Sequence, residues 1–145
     1  LTTLPFSYSN FDSLKDLKLL YLGYTCLRFI CFEHDFGYNL ECLSLNNTEV
    51  TFLPDSIGKQ KYLKQLDLSA CFKLTTLPES ISNLKNLEYL NLSDCVKFQR
   101  LPRGVTKLHN IKLINLCQTR CYIDYLPVEF KEKIHFSQVS SNLDY

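Results

Sequence analysis

Leucines recur along this chain in a fixed rhythm. Leu63, Leu66, Leu68, Cys71, Leu74, Leu77, Pro78 and Ile81 are answered 24 positions later by Leu87, Leu90, Leu92, Cys95, Phe98, Leu101, Pro102 and Val105. With the second leucine of each L-x-x-L-x-L as marker, the series is Leu20, Leu43, Leu66, Leu90 and Ile114, at intervals of 23, 23, 24 and 24. In x-L-x-L-x the leucines alternate with polar residues, the period of a short strand with one buried face. One strand per repeat with a long return predicts a parallel sheet. The following L-P-x-x-I-x-x-L has a period of three to four. Pro54 before Asp55-Ser56, and Pro78 before Glu79-Ser80, predict the start of a short helical or 3-10 turn on the outer face. A single repeat cannot bury its own leucines, so neighbours must bury them for each other.

The first repeat offers two registers, because Leu14, Leu17, Leu19, Leu20 and Leu22 compete. We place Leu20 and Leu22 in the strand, with Thr25 three residues later and Ile30 in the slot before the proline. This requires a three-residue insertion near Phe11 to Asp16, and Cys31 then replaces the proline. The second repeat runs through Leu40, Leu43, Leu45, Thr48, Val50, Leu53, Pro54 and Ile57. The fifth runs through Ile111, Ile114, Leu116 and Thr119 to Leu126-Pro127. Beyond Pro127 the pattern fades. Phe130, Phe136 and Val139 keep roughly the spacing, but Ser141 stands where the next leucine belongs. That end is either an eroded, more polar capping repeat or the start of a sequence change.

A period of about 20–29 residues headed by L-x-x-L-x-L is the mark of a leucine-rich repeat. The predicted fold is an α/β leucine-rich-repeat solenoid, a horseshoe with a parallel β-sheet on its concave face and short helical or 3-10 turns on its convex face. Residues 1–145 read as a single domain fragment of about five repeats, clearest over 14–127, with partial repeats at both ends. The chain lacks Met even at position 1, and Leu1-Thr2-Thr3-Leu4-Pro5 is identical to Leu74-Thr75-Thr76-Leu77-Pro78. We therefore expect it to be a piece of a longer protein or a processed product.

Two further columns follow the repeat. Three residues after the last strand leucine stand Thr25, Thr48, Cys71, Cys95 and Thr119, always small and weakly polar. The backbone leaves the sheet there, and buried main-chain groups need partners. A thiol or hydroxyl supplies a short-range donor, so we expect a Thr/Cys ladder along the solenoid. The alternative, a redox pair or metal site at Cys71 and Cys95, lacks the electropositive surroundings that thiolate chemistry requires. The residue after the first leucine of each repeat is Lys18, Glu41, Lys64, Glu88 and Lys112, alternating in sign. Stacked about 4.8 Å apart, each would lie between opposite charges and help fix the register.

Composition narrows the function. Charged residues make up 21% of the chain and the net charge is +1, without an acidic or basic block. That disfavours a nucleic-acid surface driven by counterion release. Lys, Asp, Glu or Asn interrupts every apolar cluster, so no membrane-spanning helix is expected. The seven cysteines form no C-x-x-C pair. Free thiols point to a reducing compartment, and a cytoplasmic location is the expectation. His34, His109 and His135 fall at unrelated repeat positions, and none pairs by spacing with a nucleophile or second ligand. A non-enzymatic role without cofactor or metal is expected. Asn46-Asn47-Thr48 and Asn91-Leu92-Ser93 match the glycosylation acceptor pattern as coincidences of the repeat.

The phrases LDLSACFKLTTLPESISNLKNLEYLNLSDC and LPRGVTKLHNIKLINL carry a family resemblance. Their pattern of C/T-x-x-L-x-x-L-P-x-x-I-x-x-L resembles the leucine-rich repeats of plant intracellular nucleotide-binding disease-resistance proteins, over about Leu14 to Pro127. The N-x-L-x-G-x-I-P pattern of plant cell-surface receptors is absent from every repeat. Ras-group repeat proteins share L-P-x-x-I but usually carry Asn where this chain has Cys or Thr. The resemblance implies a recognition and autoinhibitory segment of an immune receptor. Its partners would be a pathogen effector, a guarded host protein or the receptor's own nucleotide-binding domain. The four glycines form no G-x-x-x-x-G-K-[ST], so no nucleotide-binding residue carries over. The alternatives are a Ras-group signalling scaffold for a small GTPase and the substrate-recognition segment of an F-box ubiquitin-ligase adaptor.

The concave face is the usual partner surface of a solenoid. The chosen register sets Tyr21, Ser44, Asp67, Asn91 and Asn115 in its central column. Leu19, Cys42, Gln65, Tyr89 and Leu113 precede them, and Tyr24, Asn47, Ala70, Asp94 and Gln118 lie at the far end. Aromatic residues on a polar face suit protein recognition. The candidate partner-binding residues are therefore Tyr21, Tyr24, Ser44, Gln65, Asp67, Tyr89, Asn91, Asp94, Leu113 and Asn115. The tyrosines are candidate anchors, with Asp67, Asn91 and Asn115 as polar readers.

Overall fold

A computed structural model describes residues 16–30 and 39–136. The insertion expected near Phe11 to Asp16, Cys31, His34 and the tail beyond Phe136 lie wholly or mainly outside those residues. Among the described residues, six short parallel strands form one sheet in chain order. They are β1 (Leu19–Tyr21), β2 (Cys42–Ser44), β3 (Gln65–Asp67), β4 (Tyr89–Asn91), β5 (Leu113–Asn115) and β6 (Ile134–His135).

The register is the one the leucine spacing predicts. Leu20 pairs with Leu43, Leu43 with Leu66, Leu66 with Leu90 and Leu90 with Ile114. Competition in the first repeat is settled for Leu20. A shift by one residue would turn its side chain to the other face of the sheet. The ladder also runs past the strand ends. Leu45 N–H donates to Asp67 O at 2.8 Å, and Asn47 N–H to Ser69 O at 2.8 Å.

On the outer face, Pro54, Pro78 and Pro102 each precede a five-residue 3-10 helix: Asp55–Lys59, Glu79–Asn83 and Arg103–Lys107. Pro127 precedes α1 (Val128–Lys131), a single helical turn. Proline suits these starts because its fixed φ is pre-organised and its missing N–H would have no partner there. Ile57, Ile81, Val105 and Phe130 point inward from these turns and are buried. The Glu79 carboxylate braces the next repeat by accepting from the N–H groups of Arg103 at 3.1 Å and Gly104 at 3.0 Å. β6 pairs Ile134 with Ile114 after only 20 residues, so the last turn of the solenoid is shortened.

The core is a continuous stack of leucines with Phe98 as its largest fully buried side chain. Gln60 is a departure. It occupies the place of Leu84 and Leu108, is fully buried, and neither its amide nitrogen nor its oxygen has a partner.

The Thr/Cys column forms the expected ladder in two versions. Thr48 and Thr119 donate to carbonyls of their own repeat, Leu45 at 2.7 Å and Leu116 at 2.8 Å. The thiols of Cys71 and Cys95 reach the preceding repeat, donating to Leu45 O at 3.2 Å and Leu68 O at 3.0 Å. Thr25 makes the same contact with Leu22 O at 2.8 Å but is exposed. In the charge column, Glu41 bridges Lys18 at 3.2 Å and Lys64 at 2.9 Å, and Glu88 bridges Lys112 at 2.6 Å. The hydrogen bond from Lys64, then that from Lys18, holds the Glu41 carboxyl below its ordinary range. A second column, Arg28–Glu49–Lys73, closes at 3.1 and 3.0 Å.

After each of β1 to β5 the chain turns off the sheet through a left-handed residue that is not glycine. Tyr24, Asn47, Ala70, Asp94 and Gln118 have φ between 53° and 60°. Such a conformation costs a residue with a Cβ about 1–2 kcal/mol, less for Asn or Asp. Ala70→Gly is therefore expected to raise stability by about 0.5–1 kcal/mol once glycine's greater entropy loss is subtracted. Asn47→Gly should gain less. Urea unfolding of the two variants checks this, and a loss of stability in Ala70→Gly would contradict the strained-turn reading.

Candidate functional site

The strands' polar positions all face one side, and they meet in a concave hollow of about 330 Å³. Eight of the ten candidate residues line it: Tyr21, Ser44, Gln65, Asp67, Tyr89, Asn91, Leu113 and Asn115. Tyr24 and Asp94 lie outside it, at the left-handed turns, where Tyr24 is 79% exposed. Cys42, Leu66 and Leu90 complete the lining. Leu66 and Leu90 belong to the core and form the floor. The small Cys42 and Ser44 on β2 leave the depression between Tyr21 on β1 and Tyr89 on β4.

The central column is less free than its sequence suggests. One side-chain oxygen of each Asp or Asn closes the turn beyond its strand. Asp67 Oδ1 accepts from Ser69 N–H at 3.0 Å, Asn91 Oδ1 from Ser93 N–H at 3.1 Å and Asn115 Oδ1 from Cys117 N–H at 3.0 Å. These are Asx turns, in which a short polar side chain mimics a backbone acceptor. The signal was present in the (L/I)-(D/N)-L-(S/C) spacing of three successive repeats. The second Asx oxygen or nitrogen remains for the hollow. Ser44 is 6% exposed, and its hydroxyl is turned to Asn46 Oδ1 at 2.9 Å, with Asp67 Oδ2 at 3.4 Å.

The aromatic members are well presented. Tyr21 is 65% and Tyr89 41% exposed. A hydrogen bond with the Cys42 side chain raises the Tyr21 phenol above its ordinary value. Lys112 Nζ lies 5.8 Å from the Tyr89 ring centroid while held by Glu88, so its charge is largely balanced. Asp67 is the one charged side chain among the lining residues. Such a surface has rigid rings, a few polar atoms and one carboxylate. It suits binding of a polypeptide more than bond-making chemistry.

The described cysteines are all unpaired. Burial drives the Cys95 thiol up to about 12 and Cys121 to about 11, and raises Cys71 as well. Their thiolate fractions at neutral pH are minute, so they serve as inert structural donors. Among the described residues, no group of three His, Cys, Asp or Glu is placed to hold a metal ion. No helix of the described residues is long and apolar enough to cross a membrane.

Comparison with known proteins agrees with this architecture. Residues 38–96 match the family model for the leucine rich repeat. A leucine-rich-repeat protein of Leptospira interrogans shares the fold with a TM-score of 0.61 and 24% identity, over 93% of this chain and 40% of its own. Listeria monocytogenes InlP gives a TM-score of 0.56 and 26% identity over 69% of this chain. The plant peptide hormone receptor RGFR1, solved in complex with RGF2, gives 0.52 and 24% over 74%. The chain spans 40%, 27% and 22% of the lengths of these three proteins. No curated protein matches it.

Native alkylation at pH 8 should modify Cys26, which is exposed, and leave Cys71, Cys95 and Cys121 intact until the chain is unfolded. Peptide mass mapping before and after urea checks this. Rapid modification of Cys71 or Cys95 in the folded chain would restore the redox alternative.

Proposed function

From a leucine-rich-repeat, protein-interaction region with this concave face, we infer a non-catalytic recognition segment that reads a polypeptide partner across β1 to β5. The observation that carries the reading is the hollow between Tyr21 and Tyr89. Exposed rings there flank unspent polar atoms on a floor made rigid by the leucine stack. Rigid aromatic side chains lose little entropy on binding and commonly anchor interfaces.

We further propose that the parent protein is a plant intracellular immune receptor. There this segment would sense a pathogen effector or guarded host protein and hold the receptor's nucleotide-binding domain inactive. Support comes from the C/T-x-x-L-x-x-L-P repeat and from buried, unpaired thiols at Cys71 and Cys95, which suit a reducing cytoplasm. A G-x-x-x-x-G-K-[ST] at a strand-to-helix junction upstream in the parent would bear this out. A bare repeat protein or an F-box there would move the assignment to a signalling scaffold or a ligase adaptor.

The concave reading has its own test. Peptides selected from a random display library on the 145-residue chain are compared on a variant carrying Tyr21→Ala, Asp67→Ala and Tyr89→Ala. We expect binding to fall at least about tenfold, the loss of an anchor residue. Selected peptides that bind the variant as well as the parent would place recognition on another face.

A further inference from the structure

We propose that the concave hollow seats a basic side chain of an extended partner peptide, a guanidinium above all, on the Asp67 carboxylate. This deepens the concave reading and rests on it.

The structural work of the central column needs no charge. Asn91 and Asn115 make the same turn with neutral amides, at 3.1 and 3.0 Å, that Asp67 makes with Oδ1 at 3.0 Å. The negative charge of Asp67 is therefore surplus to the fold. It is also uncompensated. Glu41, Glu49 and Glu88 each hold a cation, whereas none of the ion pairs among the described residues includes Asp67. Its second oxygen is poorly served. Ser44 has one hydroxyl proton, and the 2.9 Å contact to Asn46 claims it before the 3.4 Å contact to Asp67 Oδ2.

The surroundings suit a planar cation. Tyr89 stands on the next strand, and Tyr21 closes the other side beyond the small Ser44. A guanidinium can donate to a carboxylate while its plane packs on an aromatic ring. An apolar or acidic side chain would leave the carboxylate without a donor in a partly closed hollow, which costs free energy, and a neutral donor would form the weaker, uncharged bond.

The probe is N-acetyl-arginine amide, titrated into the isotope-labelled 145-residue chain and followed by NMR. N-acetyl-citrulline amide, a neutral ligand of nearly the same shape, is the comparison. We expect saturable shifts at Asp67, Ser69 and Tyr89, about tenfold weaker binding of the citrulline compound, and weakening by salt. Asp67→Asn should weaken arginine binding by about the same factor. That variant keeps its turn acceptor, as Asn91 does, so it should remain folded. Equal binding of the two ligands, or an unchanged affinity in Asp67→Asn, overturns the charge recognition and leaves the concave reading standing. Absence of any shift at the hollow also overturns the inference, and the concave reading then rests on the peptide selection alone.

Discussion

No repeat in this protein can cover its own leucines. Each described repeat contributes a strand of at most three residues, four of them return through a proline-started turn, and the apolar side chains of strand and turn point into the gap beside the next repeat. Stability is therefore held in the interfaces between neighbours. Everything else follows from keeping the repeats in step. The ladder bonds beyond each strand end, the Glu41 and Glu49 ion-pair columns and the Cys71 and Cys95 thiols all connect one repeat to the next. The ion pairs are solvent-exposed, and their energetic worth is small. Their contribution is to penalise a slip in register. The thiols matter differently, because they supply donors in a fully buried place where water cannot.

That same requirement produces the concave face. Parallel strands in register stack equivalent positions, so polar residues 23 or 24 apart become neighbours across the sheet. Variation at those positions does not disturb the core. A small pair such as Cys42 and Ser44 makes a depression, and a ring such as Tyr89 makes a wall. The solenoid thus separates folding from recognition, with the exception of the Asx positions. Asp67, Asn91 and Asn115 each spend one oxygen on the turn and offer the rest of the group to the hollow.

The sheet, its order and its register were legible because the signal was repeated. Leu20 could be chosen over Leu19 only by counting towards the next repeat, with Thr25 and Ile30 falling in their slots. Features without a repeated signature were hidden. The left-handed turns escaped notice because Tyr24, Ala70 and Gln118 replace the glycine that would mark them. The Arg28–Glu49–Lys73 column was missed because Arg28 and Glu49 are 21 residues apart, out of step with the 23–24 period. β6 was obscured by its 20-residue spacing. The concave column was placed correctly on its strands. The Asx turns are contacts within one repeat, two residues apart, and their spacing was visible in the sequence without being read as a turn. The covered state of Ser44 was not legible, because its hydroxyl turns to Asn46 and its neighbour Asp67 comes from the next repeat.

The most direct test of concave recognition is oxidative footprinting of tyrosines with and without a selected ligand. Tyr21 and Tyr89 line the hollow, whereas Tyr62 and Tyr122 are comparably exposed in the loops between strands. Protection of Tyr21 and Tyr89, with Tyr62 and Tyr122 still reactive, is the predicted result. Protection of Tyr62 or Tyr122 with the concave pair unchanged would contradict the account.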